Sequence, residues 1–317
     1  MRVALLQYSI AWADKETNLR MAEEHIAALA GKADVAVLPE MFATGFCCGV
    51  PDGTRGSVGC LTDHPELAEP MDGEIIRRLQ AVADKSGVAI VSSFICMPIS
   101  NSAASHSPSG RPIGEMPSHF QAKLRNRGFM ITPHSVYPNR EELEGGSNLP
   151  SLQGGDGGRL FIQDKRHLYA HGGEDIFFQP AQKRHIFEYK GVKFLLLVCY
   201  DLRFPAWARN QSGGDYDVIL VVANWPEVRV QYWDALVAAR ATENQCYIAA
   251  VNCVGDDGMG LHYNGHSVAY DTRLQPIVSF ADNEEGTKIA DFDIDALHHF
   301  REVLPLWKDV DQFELKK

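Results

Sequence analysis

No apolar run in this 317-residue chain approaches the roughly 20 residues that a membrane-spanning helix needs. The opening stretch, Met1-Arg2-Val3-Ala4-Leu5-Leu6-Gln7, is apolar for only a few residues, too few for the hydrophobic segment of a secretory signal. A cytoplasmic protein with no membrane partner is therefore expected. Basic residues are scarce: 30 Lys and Arg stand against 41 Asp and Glu, and the net charge of -11 would repel a nucleic-acid backbone as readily as an anionic bilayer. Ligand spacings for a metal are missing too. There is no Cys-x-x-Cys pair, and His262 and His266 sit in a Gly- and Asn-containing stretch that does not read as a helix and has no acid between them. Neither a metal nor another cofactor is expected. The seven Cys, at 47, 48, 60, 96, 199, 246 and 253, form an odd and scattered set that a reducing compartment would keep free, which argues against a disulfide framework.

What is there is the make-up of an ordinary folded protein, 45% hydrophobic and 22% charged. Its length is generous for one domain and short for two. Residues 2–10 read as a strand, 17–30 as a helix with Leu19, Ala22, Ile26 and Leu29 on one face, and 33–38 as the next apolar run. A helix over 73–85, stopped by Gly87, leads into a strand over 88–96. The second half repeats the rhythm: strand 192–198, a helix near Trp207, strand 218–223, helix 231–244, strand 247–253. Continuous apolar runs such as Phe194-Leu195-Leu196-Leu197-Val198 suit sheets covered on both faces. Two similar halves predict an α/β fold of two packed sheets with helices outside, in a single domain over 1–317 with a C-terminal tail from about 296. Between the halves, 98–122 and 136–158 are rich in Ser, Gly, Pro and Asn and read as long loops. Phe129-Met130-Ile131 and Leu160-Phe161-Ile162 read as two strands of a hairpin with an extended tip.

In open α/β sheets, ligands gather beyond the carboxyl ends of the strands. Glu40 follows the strand Val35-Ala36-Val37-Leu38 after Pro39. Cys199 follows Val198 directly, and the next helix is expected to begin near Asp201, giving a strand-to-helix elbow whose backbone N–H groups can hold an oxyanion. If the strand ending at Cys96 is parallel to the one ending at Leu38, the hairpin leaves from the reactive edge, turns at the far end and returns at Asp164-Lys165-Arg166-His167. Lys165 then converges on Glu40 and Cys199. A thiol of pKa about 8.5 needs a base or a cation to react at neutral pH. A carboxylate can take its proton while an ammonium steadies the tetrahedral oxyanion. Singly these residues have plainer readings, since a buried Cys is usually a small hydrophobe and a lone Glu or Lys is usually solvated. Their convergence on one edge points to chemistry.

Three segments carry a family resemblance: Leu38-Pro39-Glu40-Met41-Phe42, Asp164-Lys165-Arg166-His167-Leu168-Tyr169, and Val198-Cys199-Tyr200-Asp201-Leu202-Arg203-Phe204-Pro205. In order and spacing they resemble the signature segments of the nitrilase superfamily of carbon–nitrogen hydrolases, over about residues 1–295. Asn126-Arg127-Gly128-Phe129-Met130, Asn224-Trp225-Pro226 and Ala239-Arg240-Ala241-Thr242-Glu243-Asn244-Gln245 are similar to the omega-amidase branch, which acts on 2-oxoacid amides such as 2-oxoglutaramate. The resemblance implies a four-layer αββα sandwich. It implies Glu40 as general base, Lys165 as oxyanion stabiliser, Cys199 as the nucleophile that forms a thioester, and Glu174 as a second glutamate orienting Lys165 and the amide. It also implies a small-molecule amide as partner, a carboxylate anchor at Arg203 or Arg229, and a homodimer. In that family's motif Arg203 is equally a candidate for a structural ion-pair partner, and Tyr200 and Trp225 are candidate walls of the pocket. Loop 98–122 begins and ends at the reactive edge and is a candidate lid.

Other readings stay open from the sequence. The same three residues serve relatives that act on N-carbamoyl compounds, nitriles or other aliphatic amides. A catalytically silent binding protein could keep the fold. Cysteine–histidine catalysis, with His262 or His266 serving Cys199, is a further arrangement.

Overall fold

The computed structural model describes residues 1–48, 60–97, 123–134, 152–153 and 159–315. The expected loops 98–122 and 136–158, and with them the candidate lid, lie outside the described residues apart from the short strand Leu152–Gln153.

The first sheet starts with three parallel strands, β1 (Arg2–Gln7), β2 (Val35–Val37) and β3 (Ala89–Cys96). Next to β3, β4 (Arg125–Ile131) runs antiparallel; β5 (Leu152–Gln153) and β6 (Arg159–Asp164) follow, with β6 antiparallel to β4 and Met130 opposite Phe161. The expected hairpin is thus present. The second sheet holds β7 (Ile186–Tyr189), β8 (Val192–Val198), β9 (Val218–Val222) and β10 (Tyr247–Val251), of which the last three are parallel. A separate ribbon pairs β11 (Val254–Asp256) with β12 (His262–Asn264). The chain then adds β13 (Val268–Tyr270) and β14 (Pro276–Ser279) to the second sheet and crosses back as β15 (Gly286–Asp291) beside β1. The sheet orders are β15-β1-β2-β3-β4-β6-β5 and β14-β13-β10-β9-β8-β7.

Alternation along the strands sorts the core into layers. On β8, Phe194, Leu196 and Val198 face the first sheet and pack with Val3, Leu5, Val37, Val91 and Met130. Leu195 and Leu197 face the other way, with Trp207, Trp233, Val237 and Ala241 from the outer helices. On the far side of the first sheet, Ala4, Leu6, Ala36 and Ile90 meet Leu19, Ile26, Ile75, Ile76 and Leu79. Helices α1 (Lys15–Ala27) and α2 (Glu74–Ser86) cover that side, and α3 (Val230–Asn244) covers the second sheet. The result is the αββα sandwich. Gly128 on β4 leaves room for both the neighbouring strand and the facing sheet: a Cβ there would lie 2.6 Å from the Gln163 carbonyl oxygen on β6 and 2.8 Å from Leu196 on β8.

Element bounds moved for local reasons. Asp14 caps α1 by accepting from the Thr17 backbone N–H, so the helix starts before the expected position 17. The expected strand 2–10 leaves the sheet after Gln7. A final helix, α4 (Ile294–Val303), occupies the start of the expected tail and docks through Arg301, which donates to the carbonyls of Gln245 and Tyr216. Among the described residues no helix is long and apolar enough to cross a membrane.

Candidate active site

Because β2 and β3 are parallel and β4 and β6 each reverse direction, β6 ends on the same edge as β2, and β8 ends there from the second sheet. Glu40 lies just past β2 in a turn that β3 holds: Ser92 Oγ donates to the Pro39 carbonyl at 2.6 Å, and the Met41 N–H donates to Ser93 Oγ at 3.0 Å. Cys199 ends β8 with φ 46°, and Met41 beside Glu40 has the same value. Left-handed backbone at two non-glycine residues flanking one site is local strain that the surrounding bonds maintain. After Cys199 the chain makes a 3-10 turn, Cys199–Arg203, and only then the short helix Pro205–Ala208. The expected single helix is broken because Pro205 forces Phe204 into extended backbone.

Asp201 fixes this elbow to the loop that carries Lys165. Its buried carboxylate accepts from the backbone N–H groups of Val198 and His167, at 3.2 and 2.8 Å, and pairs with His167 Nδ1 at 2.8 Å.

Lys165, only 1% exposed, reaches Glu40 Oε1 at 2.9 Å and Glu174 at 2.8–2.9 Å. Asn126 Nδ2 donates to the same two carboxylates, at 2.7 Å to Glu40 and 3.0 Å to Glu174. The remaining oxygens are taken as well: the Asn224 N–H donates to Glu40 Oε2 at 3.1 Å, and the Tyr169 N–H donates to Glu174 Oε2 at 2.6 Å. Two carboxyl groups thus share one ammonium in this buried cluster. Burial disfavours the Lys165 charge, but Glu174 and Glu40 outweigh it and hold its pKa well above the usual lysine value. Burial, partly offset by Lys165 and reinforced by Glu40, raises the Glu174 carboxyl. Burial and the nearby Glu40 raise the Cys199 thiol well above its ordinary range, with Lys165 opposing. The resting thiol is therefore protonated, and its proton must leave as its sulfur attacks.

Cys199 is half-buried, whereas Cys47, Cys48, Cys96, Cys246 and Cys253 are buried. It opens with Lys165 onto a cavity walled by Phe46, Tyr169, Tyr200, Trp225 and Tyr263 and edged by Arg203 and Arg229. All eight residues expected from the sequence thus gather here, four in the cluster and four on the wall. Among the described residues neither Arg203 nor Arg229 pairs with a carboxylate. Arg203 instead lies over Trp225 at 4.6 Å, and Arg229 over Tyr169 at 5.4 Å. The histidine alternative does not form. His262 spends its ring nitrogens on Asp256 and Asn283, and His266 bridges Asp234 and Asp282.

The carbon-nitrogen hydrolase family model matches residues 2–107 and 149–302. The chain belongs to that family. Omega-amidase YafV of Escherichia coli K12 is 32% identical over 99% of this chain and 98% of its own length. A 2-oxoglutaramate amidase of Bacillus subtilis is 27% identical over 97% of this chain and 96% of its own. Among solved structures, a CN-hydrolase superfamily protein of Xanthomonas campestris, with an arsenic adduct in its active site, is 30% identical, with a TM-score of 0.76 over 100% of this chain and 99% of that one. A branch 10 nitrilase-superfamily protein of Saccharomyces cerevisiae, 22% identical, shares the fold with a TM-score of 0.70 over 96% and 94% of the two chains. This carbon–nitrogen hydrolase is an amidase.

Sequence reasoning passed over three residues that shape the amidase site: Asn126, Asn224 and Asp201. Each lay inside a segment singled out for resemblance, yet none is a nucleophile, base or cation. Their signal is geometric, in bonds between segments 34 to 184 residues apart, which no local pattern reveals.

Proposed function

We propose that this amidase hydrolyses the terminal amide of a small 2-oxoacid amide, of the 2-oxoglutaramate or 2-oxosuccinamate type, through a Cys199 thioester. The observation that carries this reading is one cavity shared by Cys199 and Lys165, the latter bonded to Glu40, with two arginines that lack acidic partners among the described residues. Unpaired guanidinium groups beside a nucleophile suit a substrate with a carboxylate at the end remote from its amide. The names borne by the Escherichia coli and Bacillus subtilis relatives support the same substrate class.

In this mechanism Cys199 Sγ attacks the amide carbon while its proton passes to Glu40, so negative charge does not build up at the sulfur. The Lys165 ammonium neutralises the tetrahedral oxyanion, and its burial beside two carboxylates keeps it fixed where that charge develops. Glu40 returns the proton to the leaving nitrogen, the C–N bond breaks, and ammonia departs. Water, deprotonated by Glu40, then attacks the thioester; the C–S bond breaks, the acid leaves and Cys199 recovers its proton. Glu174 keeps Lys165 in place throughout.

Ammonia release from a panel of amides tests the substrate. The expected result is a kcat/KM for 2-oxoglutaramate and 2-oxosuccinamate at least tenfold above that for simple aliphatic amides, N-carbamoyl compounds and nitriles. Equal rates across the panel would refute the reading.

A further inference from the structure

Tyr232 stands outside the cavity, half exposed in the first turn of α3, and nothing in the reaction touches it. Yet its ring lies 5.3 Å from the Arg203 guanidinium carbon, with the Trp225 ring at 4.6 Å and the Tyr200 ring at 5.8 Å. Three aromatic rings therefore surround one cation that has no carboxylate and no hydrogen-bond acceptor among the described residues. An arginine held by acids would have its charge spent. Ring faces attract the cation yet leave its N–H donors for a ligand.

Two of the rings are fixed. Trp225 is anchored by its backbone N–H to Asn252 Oδ1 at 2.7 Å and by Nε1 to the Arg229 carbonyl at 2.8 Å, and Tyr200 packs against Tyr169 and Phe204. Tyr232 closes the remaining, solvent-facing side. Without it, Arg203 would be free to swing into water and lose rotameric order before a substrate arrives.

We infer that Tyr232 is a positioning residue for substrate selection: its ring pre-orders Arg203 to receive a substrate carboxylate, favouring anionic over neutral amides. The inference rests on the carboxylate-bearing substrate proposed above and adds to it the residue that tunes the anchor.

The test compares 2-oxoglutaramate with butyramide, an uncharged amide, in Tyr232→Ala, Tyr232→Phe, Arg203→Ala and the Tyr232→Ala/Arg203→Ala double variant. For Tyr232→Ala, KM for 2-oxoglutaramate should rise about two- to fivefold, the range one partly exposed cation–ring contact is worth. Its kcat, and kcat/KM for butyramide, should stay level. Tyr232→Phe, which keeps the ring, should restore KM, and the double variant should be no worse than Arg203→Ala alone. Equal losses on both amides would make Tyr232 merely structural and overturn the inference. A strong anionic-substrate defect in Arg203→Ala with none in Tyr232→Ala would overturn it while leaving the anchor intact. No selective defect in Arg203→Ala would remove anchor and inference together, and inactivity of the unaltered enzyme on 2-oxoglutaramate would remove the substrate reading itself.

Discussion

At the scale of single residues, the site is governed by how charge is counted among buried groups. Asn126 is the neutral member of the cluster, donating one N–H group to each of two carboxylates that would otherwise repel across Lys165. Asn126→Asp keeps the shape and replaces a donor by a third negative charge. Its kcat should fall at least a hundredfold, with the acid limb of the pH–rate profile displaced to higher pH; an unchanged profile would show that the amide does not organise the carboxylates. The unaltered enzyme has its own expected profile. Glu174 is raised by burial, so activity should be lost on acidification while the pH is still above the ordinary glutamate range of about 4.3. Lys165 and Cys199 are both raised, so the alkaline limb should lie above the ordinary cysteine range of about 8.5. Glu40→Gln should cost about 10²–10⁴-fold in kcat, as loss of a general base does, whereas His262→Ala should leave activity intact.

At the scale of elements, the chemistry depends on three turns held in register by bonds that cross between them. Asp201 is the main tie, since its two oxygens fasten the end of β8 to the segment that follows Lys165. Asp201→Asn should lower kcat with little change in KM, and reduce stability by about 1–3 kcal/mol, the cost of unsatisfied buried donors. Thermal unfolding together with steady-state kinetics would check both. Gly128 does the corresponding work between the sheets. A methyl group there meets backbone, which cannot step aside, so Gly128→Ala should cost about 1–3 kcal/mol through overpacking and lower Tm by several degrees. A variant as stable as the parent would mean that the β6 backbone and Leu196 can shift without penalty.

At the scale of the whole molecule, we propose a homodimer, as the family resemblance implies; light scattering should return twice the mass of one chain. The fold was legible in the chain because burial imposes period. Strands covered on both faces must be apolar throughout, as in Phe194 to Val198, and two such halves leave little choice but stacked sheets. The reactive residues were legible because each directly follows a strand, where topology makes the edge common. Direction of strands sufficed to bring Lys165 toward Glu40 across 125 residues. Other features were harder to read from local pattern. The break between the Cys199 turn and the helix at Pro205 was readable in principle from that proline, but the shift of α1 required its Asp14 cap to form. Asn126, Asn224, Asp201 and Tyr232 matter through partners far away in sequence, and an amide or a ring gains such a role only from what lies opposite it. Sequence alone determined which layers form and which reactive groups share an edge, since periodicity and chain direction are properties of the chain. The tertiary structure alone decided the raised pKa of Lys165, Glu174 and Cys199 and left Arg203 and Arg229 without acidic partners among the described residues, because burial and pairing exist only once distant segments have closed on one another.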